Sequence, residues 1–572
     1  MTVLDAGGQY CHLIARRVRD LGVFADVHAS ETPATELAGR KGIIISGGPS
    51  SVYEPGSPTV DPKIFATGSA VLGICYGQQL MAHLLGGYVR KGDKGEYGHA
   101  EASILSHAGV LTGLDPREPV WMSHRDQVET PPPGFAVTAG TETCPVAGIA
   151  DPARKLFAVQ FHPEVVHTRH GRRILENFVF AICGCERDWD PRRRIPMLEA
   201  EIRRVAGSRN IFFFVSGGVD SSVAYRLCVD ALGRDRVRGA YVDTGLMREG
   251  ETEFVKGALG VTVVDAQAEF LGALAGVAEP ERKRHIIGEQ FVAVQERVLQ
   301  SGHYLDGDWI LGQGTIYPDT IESGGTAKAD LIKTHHNRVA GIQKLIDENR
   351  IIEPLTSFYK DEVREVGREL GLPDELLDRH PFPGPGLAIR LLCAEKPEPL
   401  ERTADGWIVP VHSVGVQGDS RSYRPVLATE GSLDLTLATE AINRNARVNR
   451  VVGLVRSHVA LSAMTVHPGG LTAGRLSRLR RADAIVRKLS HESGFDRSVW
   501  QFPVVVIPCG DALRPDSVVL RPIDSVDGMT AEAVVMDAGL LDRIATELLG
   551  IAGICAVFYD LTHKPPATIE WE

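Results

Sequence analysis

The sequence predicts two open, doubly wound α/β sheets followed by an α+β section. Three observations carry that reading. Short apolar runs at 42–46 (GIIIS) and 70–74 (AVLGI) end at glycine-containing turns and lead into helical spacing, as at Gln79, Leu80, His83 and Leu84. Buried parallel strands and their crossover helices have this pattern. The same alternation restarts at 210–215 (NIFFFV) and continues through 237–243 and 261–265. Beyond about residue 393 the character changes, and 411–416 and 503–507 look like strands of an α+β unit.

The boundaries follow from composition. The first alternation closes on an amphipathic helix over 171–182, and the charged, proline-containing stretch 188–196 (DWDPRRRIP) reads as a linker. The second closes near 379–390 (RHPFPGPGLAIR), where three prolines and two glycines demand irregular backbone. Domains are therefore expected at 1–187, 188–392 and 393–572. The last contains a faint repeat. VQGD at 416–419 leads into the run 423–428, and PCGD at 508–511 leads into 517–521. Each copy then passes through a helical stretch to an apolar strand, at 451–455 and at 554–558. Two copies, about 393–490 and 491–572, are expected.

The 572 residues include 62 Lys and Arg against 73 Asp and Glu, a net charge of −11. That balance argues against nucleic acid as the main partner, whereas small anions remain accessible to local loops. No apolar run approaches the roughly 20 residues that span a bilayer, and the first residues lack a signal-peptide pattern. The nine cysteines include no CxxC pair, only a CxC at Cys183 and Cys185. A disulfide framework or zinc site is not expected, and a reducing cytosol is.

Gly73-Ile74-Cys75-Tyr76-Gly77 follows a strand and opens a helix, the geometry of a nucleophile elbow with Cys in place of Ser. The helix N-terminus favours thiolate. Alone, the motif fits a buried structural Cys better than a nucleophile. The segment 157–164 (FAVQFHPE) alternates like a strand and ends in His162-Pro163-Glu164, whose spacing puts a base and its orienting carboxylate on one side.

Together these motifs resemble the class I glutamine amidotransferases. The resemblance assigns Cys75, His162 and Glu164 as the catalytic triad, the backbone of Gly47, Gly48 and Tyr76 to oxyanion or glutamine binding, and Gln79 to glutamine. It implies thiolate attack on the glutamine amide, release of ammonia and a glutamyl thioester. Ser123-His124-Arg125-Asp126 departs from the usual SHGD, with Arg125 where that family has Gly.

Ser216-Gly217-Gly218-Val219-Asp220-Ser221-Ser222 follows the strand NIFFFV and opens a helix. Its glycines bring backbone N–H groups to an anion, and its hydroxyls add donors. A Ser/Gly-rich helix cap is the alternative. No GxxxxGK[ST] occurs, so this is not a P-loop. The seven residues resemble the pyrophosphate loop of N-type ATP pyrophosphatases, which implies adenylation by ATP with Mg²⁺ held by Asp220.

The segments 312–323 (GQGTIYPDTIES), 332–337 (IKTHHN), 380–390 (HPFPGPGLAIR) and 564–572 (KPPATIEWE) complete a resemblance to the GMP synthetase family over essentially the whole chain. The resemblance implies adenylation of XMP by ATP and displacement of AMP by glutamine-derived ammonia. It places XMP-binding positions at Arg284, Asp419, Gln501, Lys564 and Glu570, and a lid at Lys333, His335 and His336. The long C-terminal section with its repeat looks like the eukaryote-type form and implies a monomer with an internal pseudo-dimer; a homodimer is the alternative. An NAD synthetase shares the loop, but its glutaminase belongs to another family. A tRNA-thiolating enzyme fits neither the charge nor the cysteines. A retired regulatory protein would not keep every catalytic position.

Overall fold

The computed structural model describes residues 1–572 apart from 9, 323–339, 418–419, 446 and 526–529. The chain divides into two compact units, Met1–Arg193 and Arg194–Glu572. No helix among the described residues is long and apolar enough to cross a membrane.

The first unit is built on a nine-stranded sheet. Five parallel strands run in the order Asp26–Ala29, Thr2–Asp5, Gly42–Ile45, Ala70–Ile74 and Leu156–Val159. Four more strands extend it antiparallel, ending at Tyr88–Ile104 and Arg117–Thr130. The central strands are buried along their whole length, which is why their sequences are unbroken apolar runs rather than alternating ones. Their side chains pack with Leu80, Met81 and Ile64 into one core.

Two expectations for this unit need correction. The segment 157–164 is not one strand: the strand ends at Val159, the Gln160 N–H adds one last bond in register to the Ala147 carbonyl, and the His162 N–H then turns to the carbonyl of Trp121. The helix expected over 171–182 is α-helical only over Gly171–Glu176 and widens to a π-helix over Asn177–Ile182. The predicted linker also gives way to structure at its end, since helix Ile195–Ala206 starts within it. Pro196 sits in the first turn of that helix, where a missing N–H costs nothing.

The second unit begins with a five-stranded parallel sheet in the order Thr262–Asp265, Val237–Asp243, Asn210–Phe214, Trp309–Gly312 and Ile351–Ile352. Strand order reverses at Asn210–Phe214, so the crevice beyond its carboxyl end is a topological switch point. A seven-stranded mixed sheet follows. In it, the hairpin Trp407–Gln417/Ser420–Thr429 leads through helix Leu435–Arg444 to strand Arg450–Ser457, parallel to the hairpin's second strand. The hairpin Val504–Ile507/Asp516–Leu520 leads likewise through helix Ala538–Leu549 to strand Ile554–Asp560. The two third strands pair antiparallel at the centre, with Gly453 opposite Tyr559.

Helices Ala473–Ser493 and Ala538–Leu549 cover one face of this sheet through Leu479, Val486, Ile544 and Leu548, in a core shared with Leu246, Phe270 and Ile287. The other face packs Val409, Val452, Val505 and Phe558 under Trp571. Charge is buried here too. Asp560 accepts from Arg450 at 2.9 Å and from Trp571 Nε1 at 2.9 Å, and lies 2.8 Å from Arg521 Nη1. Lys283, fully buried, donates to Glu572 Oε2 at 2.7 Å and to the Leu391 carbonyl at 3.0 Å. Lys283 and Glu572 match one to one. Arg450 and Arg521 instead share Asp560 and send further N–H groups to the carbonyls of Val414, Glu570, Thr562 and Ile569. The buried charge is thus compensated by hydrogen bonds as well as by opposite charge.

Candidate functional site

Cys75 joins strand Ala70–Ile74 to helix Tyr76–Leu84 and sits at φ 54°, ψ −108°, a strained conformation for a residue with a Cβ. Two glycines make the elbow possible: a Cβ at Gly73 would lie 2.5 Å from the Gly77 carbonyl, and one at Gly77 would lie 2.3 Å from that of Ile45. The Cys75 N–H donates to the Val159 carbonyl at 2.8 Å, tying the elbow to the strand that leads to His162. The Cys75 side chain does not cap the helix, so its first amides, beginning with Tyr76, point toward the nucleophile's end.

His162 Nδ1 donates to buried Glu164 Oε1 at 2.7 Å. The loop after strand Gly42–Ile45 closes on the pair. A Cβ at Gly47 would lie 3.2 Å from His162 Cε1 and 3.6 Å from Cys75 Cβ, and one at Gly48 would strike the Ala6 carbonyl at 2.4 Å. Ser46 holds that loop, its hydroxyl accepting from the Ala6 N–H at 3.0 Å and donating to the Gly47 carbonyl at 2.9 Å. The Tyr76 hydroxyl is used by the Pro58 carbonyl at 2.6 Å, so its main-chain amide is what faces the elbow.

Burial alone would lower His162, but the Glu164 carboxylate and Cys75 outweigh it and raise the imidazole to about 10. A folded-state value above the ordinary 6.5 means the charged ring adds stability fully below about pH 6.5, and that stability is lost as pH rises through about 10. In melts from pH 6 to pH 10, the gap between wild type and His162→Asn should narrow as pH climbs. A constant gap refutes the assignment.

Strand Arg117–Thr130 alternates, with His124 and Asp126 buried and Ser123 and Arg125 exposed. Arg125 therefore points off the face that carries the buried polar groups. Gln79 is buried, its Nε2 donating to the Asp126 carbonyl at 2.7 Å and to Gln160 Oε1 at 3.2 Å. Gln160, which the motif reading passed over, donates to Cys75 Sγ at 3.5 Å. Glu96, His124 and Cys144 bring ligand-type atoms within 4.8 Å of one another. The Glu96 carboxylate is already engaged by Thr141, Thr143 and His124.

In the second unit the loop 216–222 lies at the carboxyl end of the switch-point strand and opens helix Val219–Leu232. Gly217 has φ +75°, and the Ser216 hydroxyl organises the turn by accepting from the Gly218 N–H at 3.2 Å and meeting the Ser221 hydroxyl at 3.0 Å. Gly314 crosses so close that a Cβ there would lie 2.6 Å from the Ser221 nitrogen. Asp220 Oδ2 accepts from Lys360 at 3.0 Å, while Oδ1 is buried with no hydrogen-bond partner among the described residues. Arg379 donates to the Gly217 carbonyl and to Glu251. Lys360 and Arg379 carried no motif signal; only the fold brings them here.

Of the expected XMP positions, Arg284 donates to the Glu572 main-chain carbonyl, and its buried Nε has no partner among the described residues. Glu570 is bound bidentately by Arg390, at 3.0 and 2.7 Å. Lys564 pairs by its main chain with Ala531, and Gln501 likewise with Ile523. Asp419, and the segment containing Lys333, His335 and His336, lie outside the described residues.

The family model for class-I glutamine amidotransferases matches residues 2–182, and that for the GMP synthase C-terminal domain matches 488–571. A Leptospira interrogans protein named "Probable GMP synthase [glutamine-hydrolyzing]" is 42% identical over 600 residues, covering 100% of this chain and 99% of its own. A Caldicellulosiruptor saccharolyticus protein named "GMP synthase [glutamine-hydrolyzing]" is 40% identical over 586 residues, with the same coverage.

Proposed function

The chain belongs to the family of glutamine-hydrolysing GMP synthases, and from that premise we propose a division of its chemistry between the two units. The reaction aminates XMP to GMP with ammonia from glutamine, through an adenylated XMP, and yields AMP, pyrophosphate and glutamate. The observation that carries the assignment of residues is the strained Cys75 elbow facing the His162–Glu164 pair.

In the first unit the Cys75 thiolate attacks the side-chain carbonyl of glutamine. Main-chain amides of Tyr76 and of the Gly47-Gly48 loop stabilise the oxyanion. The His162 imidazolium, held by Glu164, protonates the departing ammonia and then, as a neutral base, draws a proton from the water that hydrolyses the thioester. Gln79 borders the glutamine site from the helix that follows the elbow.

In the second unit Ser216, Gly217, Gly218, Val219, Asp220, Ser221 and Ser222 wrap the ATP phosphates at the helix N-terminus. The XMP O2 attacks the α-phosphorus, pyrophosphate leaves, and ammonia then displaces AMP. Lys360 sets the direction of Asp220. The buried Oδ1 of Asp220, which has no hydrogen-bond partner among the described residues, suits a hard cation such as Mg²⁺. When bound, Mg²⁺ offsets charge on the leaving pyrophosphate. Arg284, Asp419, Gln501, Lys564 and Glu570 form the XMP set, Glu570 acting from its fixed place beside Arg390.

The two hairpin–helix–strand halves of the seven-stranded sheet are read as a duplicated unit pairing within one chain, which favours a monomer. Length is no mark of a eukaryote-type form, because bacterial relatives match it end to end. A reducing cytosol is the proposed compartment, since the nine cysteines are sparse and form no CxxC pair.

Purified protein given XMP, ATP, Mg²⁺ and either glutamine or ammonium should form GMP and AMP. No GMP from either nitrogen source would overturn the function.

A further inference from the structure

We propose that Gln160 is a catalytic residue of the glutaminase half-reaction: its side-chain N–H stabilises the Cys75 thiolate, and the Asp126 main-chain carbonyl fixes the direction of that N–H through Gln79. The proposal rests on Cys75 being the nucleophile.

Gln160 is 0% exposed and immediately follows strand Leu156–Val159, which is paired to the strand leading into the elbow. Its main-chain N–H is anchored on the Ala147 carbonyl at 2.9 Å, so the side chain has little freedom. An amide side chain can present either its oxygen or its nitrogen to a neighbour, and near a thiolate the two have opposite effects.

The surrounding contacts remove that ambiguity. The Asp126 carbonyl can only accept, so the end of Gln79 lying 2.7 Å from it must be the NH₂. The same NH₂ lies 3.2 Å from the Gln160 side chain, which must therefore offer Oε1. This leaves the Gln160 NH₂ directed at Cys75 Sγ, 3.5 Å away. His124 Nδ1 holds the Asp126 carbonyl from the other side at 3.0 Å, and His124 Nε2 rests on Glu96 at 3.1 Å. Glu96 is in turn braced by Thr141 at 2.8 Å. The relay thus runs from a braced carboxylate to the nucleophile, and the Asp126 carbonyl fixes the direction of both glutamine amides.

An N–H donated to a thiolate is a charge-assisted bond, stronger than the same bond to a thiol, so it favours ionisation. His162 also pairs with the sulfur, backed by Glu164, and the Ser123 carbonyl lies 3.8 Å from Sγ. These groups are unchanged when Gln160 alone is replaced, so the change reports the amide.

The test uses the full chain. The rate of iodoacetamide alkylation at Cys75, followed by mass spectrometry of its peptide, is measured against pH for wild type, Gln160→Leu, Gln160→Met and Gln160→Glu. Glutamine- and ammonia-dependent GMP formation are measured alongside. Gln160→Leu and Gln160→Met should raise the alkylation midpoint by about one pH unit. Glutamine-dependent kcat should fall roughly tenfold or more with little change in KM, and ammonia-dependent synthesis should be retained. Gln160→Glu, which faces the sulfur with a carboxylate oxygen, should shift the midpoint further in the same direction.

Midpoints in Gln160→Leu and Gln160→Met that coincide with wild type overturn the proposal, even if both variants melt earlier. The Met variant, close in volume, serves if Leu fails to fold. Glutamine-dependent synthesis surviving in Cys75→Ala would sink the nucleophile assignment instead, a separate result.

Discussion

Cys75→Ala should abolish glutamine-dependent GMP synthesis, a loss of about 10⁴-fold or more, while ammonia-dependent synthesis stays within about twofold of wild type. The size follows from the chemistry: without Sγ no thioester forms, and His162 has no thiolate to pair with. Selectivity follows from placement, because Cys75 lies in the first unit and the loop 216–222 in the second. The fold should survive, since Ala meets the same φ of 54° that Cys already tolerates. Cys75→Gly should lose the same activity but gain up to roughly 1 kcal/mol of stability, as glycine removes the strain. Paired assays with glutamine and ammonium, plus a urea melt, check both statements. Equal loss of both activities would show that Cys75 is not confined to glutamine hydrolysis.

Asp220→Ala should suppress GMP formation from either nitrogen source by about 10³-fold, with pyrophosphate release falling in parallel. Two effects add. The only carboxylate in the loop 216–222 is lost, and the Lys360 ammonium, 3.0 Å away, is left without its partner. Asp220→Asn keeps the volume and one acceptor but not the charge, so it should lie between the two. The measurement is pyrophosphate release with XMP and ATP. Release at the wild-type rate in Asp220→Ala would remove Asp220 from the adenylation step.

Much of this site is legible in the chain because its parts are local. GIIIS, AVLGI and NIFFFV mark strands buried on both faces, and the elbow and the loop 216–222 follow them directly. Where the strand before His162 stops was not legible, since His162 changes its pairing partner with no change in composition. The groups that tune the chemistry are distant in sequence: Gln160 is 85 positions from Cys75, and Lys360 is 140 from Asp220. No spacing rule reaches that far. A buried glutamine in an apolar run looks like an ordinary strand position until the sulfur is seen beside it.

The centre of the seven-stranded sheet also constrains how the chain can be made. Strand Arg450–Ser457 pairs on one side with its own hairpin and on the other with Ile554–Asp560, about a hundred residues later. During synthesis the first half-sheet therefore waits on the ribosome with one edge open, a row of unpaired amides and carbonyls over Val451, Val452 and Leu454. The same edge on a neighbouring nascent chain is chemically identical. At high expression, exchange of the Ile554–Asp560 strand between two chains would give an entangled pair with native contacts. The share of such entangled pairs should therefore rise with expression level, which sedimentation of the purified protein checks.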